Sequence, residues 1–319
     1  MTERDYNDGL AAIKGGNFNE AVTLFSKCVV AKPDFDKAFS NRAIAYSNLK
    51  NYAGALKDIN QAIQLNPKNP EPLFNKALIF FSMQRKDSEN VALDKCLLLN
   101  PSHPEANYYK GLWFYEKGDL NNAIDLYSKA VLSRPDYSYA YNDRGSAKRA
   151  NGDYKGAIAD YEKALTCTPA SKVFIYSNLG SAYRLNKDYI NAIEAYKKSI
   201  AADPSYLTAL NNRGAAYFEN NDLKAAQQDF EEVLKKDPKN SFAYNNLASI
   251  AIREKDYKKA RDMSTRAIEI DPKNGPAYYN RGISAQMLHD ESGCCGDWKK
   301  ALELGVEGAR PFMNASCIN

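Results

Sequence analysis

The chain has 319 residues, 26% of them charged, and its 43 lysines and arginines stand against 39 aspartates and glutamates for a net charge of +4. That near balance is far from the basic footprint of a nucleic-acid-binding surface, and no apolar run is long enough to span a bilayer. No Gly/Ser/Pro-rich linker or change of composition divides the chain, so internal repetition is the first property to test.

The prolines set a ruler. Pro33, Pro67, Pro101, Pro135 and Pro169 follow at 34-residue steps, one 35-residue step leads to Pro204, and 34-residue steps resume to Pro238 and Pro272. Each interval reads helix, turn, helix, turn. In "NDRGSAKRANGDYKGAIADYEKALTCTP" a first amphipathic run ends at Asn151, Gly152 and Asp153, which break one helix and cap the next. Ala157, Ile158, Tyr161, Ala164 and Leu165 then recur at helical spacing on one face, and Pro169 ends that helix because proline has no N–H to continue it.

With the proline counted as position 32, position 8 is always Gly or Ala, as at Gly9, Ala43, Gly111, Gly214 and Gly282. Position 20 is mostly alanine (Ala21, Ala55, Ala123, Ala192, Ala226) and position 27 adds Ala62, Ala130 and Ala267. Small residues at a helix crossing let the axes approach closely, while Tyr or Phe at positions 11, 17 and 24 fills the space beside them.

This pattern, matched closely by "GDYKGAIADYEKAL" and "NKDYINAIEAYKKSI", resembles the tetratricopeptide repeat (TPR) family. The resemblance covers about nine 34-residue repeats over residues 2–304, read as a single domain, with 305–319 as a C-terminal cap. It implies an all-α, right-handed superhelix, a TPR solenoid ending in a short capping helix, like bacterial TPR-only proteins. Two units depart from the pattern. The third has Glu89 at position 20, so its second helix is expected to pack loosely or to be displaced; the ninth has Cys294 there and Gly305 in place of the following proline. No cap precedes the first repeat, so the N-terminal face is expected to be bare, dimeric or covered by a further segment.

Position 6 is asparagine in seven of nine units: Asn7, Asn41, Asn75, Asn178, Asn212, Asn246 and Asn280, interrupted by Tyr109 and Asp143. At about 0.5 kcal/mol each, seven helical asparagines forfeit roughly 3–4 kcal/mol of propensity. Two roles stay open: the amides bridge neighbouring first helices, or they face a ligand. For the ligand role, a carboxamide offers donor and acceptor to a peptide main chain whatever its side chains. This is similar to the asparagine ladder inside the TPR superhelix of O-linked N-acetylglucosamine transferase, whose catalytic domain has no counterpart here. The resemblance places first helices on the concave surface, so Asn41, Asn75, Asn178, Asn212, Asn246 and Asn280 are expected along the groove. Position 2 adds Tyr139, Phe174 and Phe242, and position 12 adds Arg149 and Arg184 for acidic or C-terminal groups. Arg42, Arg144, Arg213 and Arg281 at position 7 are read as snorkelling along the repeat interface. A carboxylate clamp, a second TPR precedent, is not expected in the first three repeats, where Glu71 and Asn75 stand in place of lysine and arginine.

The only histidines, His103 and His289, have no metal-ligand spacing, and no phosphate loop or nucleophile motif is present, so no enzyme, metal or cofactor is expected. Cys28, Cys96 and Cys167 read as buried thiols acting as small hydrophobes. Cys294, Cys295 and Cys317 cluster in the cap. The ending resembles exported bacterial TPR proteins in which such cysteines staple the cap, and spacing leaves a disulfide and reduced thiols equally open. The expected function is a non-catalytic scaffold binding an extended peptide or protein segment. The alternative is a structural subunit that uses its convex face or bare N-terminal end, where a homodimer would also form; an RNA-binding array is the least favoured reading. With no signal peptide the default compartment is cytoplasmic, becoming periplasmic or secreted if Met1 replaces a removed leader.

Overall fold

The computed structural model describes residues 2–167 and 171–317. Met1, Pro169 of the ruler and the last two residues of the cap, 318 and 319, lie outside the described residues. The described chain is all-α and divides into two compact units, Met1–Gly152 and Asp153–Asn319, with the boundary inside the fifth repeat.

The first unit holds α1 (Thr2–Lys14), α2 (Phe18–Ala31), α3 (Asp36–Asn48), α4 (Tyr52–Leu65), α5 (Glu71–Ser82), α6 (Lys86–Leu99), α7 (Pro104–Glu116), α8 (Leu120–Ser133) and α9 (Ser138–Ala150). The second holds α10 (Tyr154–Thr166), α11 (Lys172–Leu185), α12 (Tyr189–Ala202), α13 (Leu207–Glu219), α14 (Leu223–Lys236), α15 (Ser241–Arg253), α16 (Tyr257–Ile270), α17 (Gly275–Met287) and α18 (Glu291–Glu303), closed by α19 (Arg310–Ser316). Within each unit, successive helices pack as hairpins and each first helix also touches the first helix of the next repeat, as α3 does α5 and α15 does α17.

The turn between the helices of a repeat is one conserved geometry. Position 15 is left-handed in each of the nine repeats, at Gly16 (77°), Gly118 (78°) and Gly152 (83°) but also at Lys50 (60°), Gln84 (57°), Lys187 (63°), Asn221 (64°), Lys255 (62°) and His289 (61°). Glycine adopts that conformation without strain, and the other residues hold it because the hairpin packing fixes the turn. The second helix is then capped by the side chain of the next residue: Asp153 accepts from Gly156 N–H, Asp222 from Ala225 and Asp256 from Lys259.

The alanines of positions 8, 20 and 27 are fully buried, among them Ala43, Ala55, Ala62, Ala123, Ala226 and Ala267. Where position 8 is glycine the facing residue at position 24 is aromatic and lies against the bare backbone: an added Cβ at Gly111 would stand 2.7 Å from Tyr127, and one at Gly214 2.7 Å from Phe230. Where position 8 is alanine the partner shrinks, to Ile59 opposite Ala43 and Leu93 opposite Ala77. The volume is conserved across these pairs, whereas Ala248 faces the smaller Ser264.

The third repeat keeps a complete second helix despite Glu89. That carboxyl is buried, its Oε2 has no partner among the described residues, and burial pushes its pKa upward. A recess of ≈480 Å³ opens where α4, α5 and α6 meet, lined by Ile63, Leu73, Phe80 and Val91 with Lys76 and Lys95 at its edge.

Candidate functional site

Position 6 lies in the second turn of each first helix and position 5 of the preceding repeat lies 35 residues earlier. The structure joins them. Asn41 Nδ2 donates to the Tyr6 hydroxyl at 2.9 Å, Asn75 Nδ2 to Ser40 Oγ at 3.0 Å, and Asn246 Nδ2 to Asn211 Oδ1 at 3.2 Å. Asn280 Nδ2 donates to Asn245 Oδ1 and to Ser249 Oγ, both at 2.9 Å. Of the two roles left open by the sequence, bridging between first helices is made by these four amides. Asn212 is half-buried and makes no such bond to Ser177, the residue in the corresponding place; Asn178 is also half-buried.

The two interruptions obey the same geometry. Asp143 accepts from the Tyr108 hydroxyl at 2.8 Å and from Asn142 Nδ2 at 2.9 Å. Burial pushes the Asp143 carboxyl above the ordinary carboxylate range, against the pull of those two donors, and burial likewise raises the Tyr108 hydroxyl. Tyr109 follows the only apolar residue at position 5, Phe74, and packs on it with ring centroids 5.8 Å apart.

A bridging asparagine spends one N–H and keeps its carbonyl. Asn75 Oδ1 accepts no hydrogen bond from the described residues, and Asn75 lines two recesses on the first-helix face. One, of ≈250 Å³, is completed by Ile44, Asn48, Leu78, Phe81 and Tyr109; the other, of ≈220 Å³, by Tyr6, Lys37, Ser40, Asn41 and Glu71. The two recesses together set an apolar pocket beside side-chain hydrogen-bonding groups.

Among the aromatic candidates, Tyr139 and Phe174 are each 53% exposed and Phe242 is 63% exposed, the first in the first unit and the others in the second. Phe174 stands edge-on to Tyr206 at 5.2 Å. Arg149 is half-buried and pairs with no carboxylate among the described residues. Arg184 is already engaged: its Nη1 reaches Glu219 Oε1, in the next repeat, at 2.5 Å. It holds neighbouring repeats together.

The arginines of position 7 do more than snorkel. Arg42 grips Asp58 through Nε at 2.6 Å and Nη2 at 3.0 Å, Arg213 grips Asp229 at 2.9 and 2.7 Å, and Arg281 grips Asp297 at 2.8 and 2.7 Å. Each is a fork clasping the second helix of its own repeat. Position 7 also reaches position 25 of the preceding repeat, from Arg42 to Ser26, Lys76 to Asn60, Lys110 to Asp94 and Arg144 to Ser128. Position 23 was not singled out from the sequence. The signal is there, because aspartate occupies it in the four repeats with arginine at position 7 and in no other.

His103 caps α7 by accepting from the Ala106 N–H, and burial lowers its pKa. Cys28 and Cys96 are fully buried, whereas Cys167 is half-exposed at the end of α10. Cys295 and Cys317 form a disulfide, with Cα atoms 5.6 Å apart, that ties α19 to α18; Cys294 is not part of it. No helix among the described residues is long and apolar enough to cross a membrane.

Models of the tetratricopeptide repeat match residues 36–69, 91–137, 114–172, 172–239 and 217–281. The fold is similar to that of a tetratricopeptide repeat protein from Parabacteroides merdae, with a TM-score of 0.67, 16% identity, and coverage of 78% of this chain and 99% of that one. It is also similar to that of one chain in the structure of the APC/C hetero-tetramer Cut9–Hcn1, with a TM-score of 0.59, 13% identity, and coverage of 99% of this chain and 76% of that one. In sequence, heat shock protein STI1 of Saccharomyces cerevisiae is 32% identical over 69 residues, which span 21% of this chain and only 12% of that protein's length.

Proposed function

We propose that this chain, which belongs to the tetratricopeptide repeat family and so to a class of generally non-catalytic protein-interaction scaffolds, binds an extended peptide along the first-helix face of its repeats. The observation that carries the reading is Asn75. It spends an N–H on the repeat interface and keeps an unengaged carbonyl between an apolar and a polar recess. A peptide N–H donates to that carbonyl while an apolar side chain enters the recess beside Phe81 and Leu78. In the second unit, the Asn212 amide makes no hydrogen bond among the described residues, and Phe174 and Phe242 supply exposed aromatic anchors.

A peptide-array screen of wild type against Asn75→Ala and Asn212→Ala tests this, with circular dichroism showing all three folded. Loss of signal in a folded variant supports the reading. Equal binding by all three places the working surface elsewhere, and no peptide bound by the wild type favours a structural subunit of an assembly.

A further inference from the structure

Three sulfurs meet where the cap closes on the ninth repeat. The Cys294 side chain is 2% exposed, its Sγ lies 4.0 Å from Cys295 Sγ, and the sulfur atoms of Cys294, Cys295 and Cys317 all lie within 4.8 Å of one another. Trp298, Val306, Phe312 and Met313 pack around them and form an apolar shell. A staple needs two of these cysteines. The third stands where the repeat pattern asks for alanine. Cys28 and Cys96 also replace small core residues, but each lies in a separate core cluster, whereas Cys294 is placed against two other sulfurs.

We propose that reduction of the Cys295–Cys317 disulfide opens a three-thiolate site that takes one Cu(I) ion. A thiol reductant supplies two electrons and two protons, the S–S bond breaks to two thiols, and the reductant leaves as its own disulfide. The ion then displaces thiol protons to solvent without changing its oxidation state. Metal–thiolate bonds of about 2.3 Å place three sulfurs in a plane about 4 Å apart. The Cys294–Cys295 separation of 4.0 Å already meets that value, so only Cys317 has to draw back from Cys295. No histidine or carboxylate among the described residues joins the cluster, so the fourth ligand of a structural zinc site is absent. Soft sulfur ligands in a dry, three-coordinate setting suit Cu(I). The consequence is a cap with two exclusive states, stapled when oxidised and metal-closed when reduced.

The test uses the full chain carrying Cys167→Ser, which removes the half-exposed thiol; Cys28 and Cys96 are buried, and burial pushes the Cys96 thiol up to about 12. Anaerobically reduced and oxidised protein are titrated with Cu(I) against a coloured chelator, and the same is done with Cys294→Ala, which installs the residue usual at that position. The expected result is one tightly held Cu(I) per reduced chain, none in the oxidised chain, and a loss of affinity in Cys294→Ala beyond the roughly 10–100-fold that an outer-shell change costs. Wild-type affinity in Cys294→Ala leaves only a two-sulfur chelate and overturns the proposal, as does a folded, reduced wild type that takes up no Cu(I). Zinc displacing Cu(I) at equal concentration overturns the choice of metal.

Discussion

Phe74 and Tyr109 pack with ring centroids 5.8 Å apart at one of the two rungs where the asparagine ladder is interrupted. Phe74 offers no hydrogen-bonding group to the next repeat, so an asparagine at 109 would have nothing to bridge to; an aromatic ring has. Phe74→Ser and Tyr109→Asn will each destabilise the chain, and the double variant will lose less than the two combined, with a coupling of about 0.5–1.5 kcal/mol. Denaturant unfolding of the four-member cycle measures it, and strict additivity removes the explanation.

The rungs differ in what they hold, so equal substitutions will have unequal effects. Asn280→Ala breaks the bonds to Asn245 and Ser249 and will cost about 1 kcal/mol. Asn212→Ala breaks no bridge and will be neutral or stabilising by about 0.5 kcal/mol through helix propensity. Equal losses in chemical unfolding would show that the bridges contribute nothing.

The Arg42–Asp58 fork is largely dry, with side-chain exposures of 15% and 5%. Arg42→Met leaves a buried carboxylate alone and will cost about 3–5 kcal/mol, whereas Arg42→Met with Asp58→Leu will recover most of it. Thermal and urea unfolding of the single and double variants distinguishes this from a simple loss of packing, which the second change would not repair.

At the Gly214–Phe230 crossing, Gly214→Ala inserts a methyl into the ring and will cost about 1–3 kcal/mol. Adding Phe230→Leu reproduces the Ala77–Leu93 combination of the third repeat and will return part of that loss. A double variant no more stable than Gly214→Ala would mean that the backbone, not the ring, sets the spacing.

Asp143 carries the pH dependence of its rung. Its folded pKa lies above its unfolded value, so the folded chain holds the proton more tightly; the stabilisation is present below the ordinary carboxylate value of 3.8 and is lost as pH rises through the folded pKa. Asp143→Asn removes that loss. The variant will exceed wild type in stability at pH 7 by on the order of 1 kcal/mol, and the difference will shrink toward pH 3. A pH-independent difference between the two unfolding curves would place the origin outside this titration.

Much of the interface proved readable once two repeats are considered together. Aspartate at position 23 accompanies arginine at position 7, as Asp58 does Arg42, and Tyr109 accompanies Phe74, because a linear array places the same two positions in contact in every repeat. Considered one column at a time, position 5 varies among Tyr6, Ser40, Asn211 and Asn245 and looks unconstrained. What these four share is the capacity to accept a hydrogen bond from the asparagine of the next repeat, which residue identity conceals.

The sequence by itself determined the periodic helix pairs, their turns and their small-residue crossings, since helical spacing, helix breakers and side-chain volume are local properties. It could not choose between bridging and ligand-facing asparagines, because one carboxamide serves both and only the position of the next first helix decides which atoms it reaches. Nor could it choose which cap cysteine pairs. Cys294 and Cys295 are neighbours on one helix and point about 100° apart, so the docking of α19 brings Cys317 to Cys295 and leaves Cys294 beside the bond.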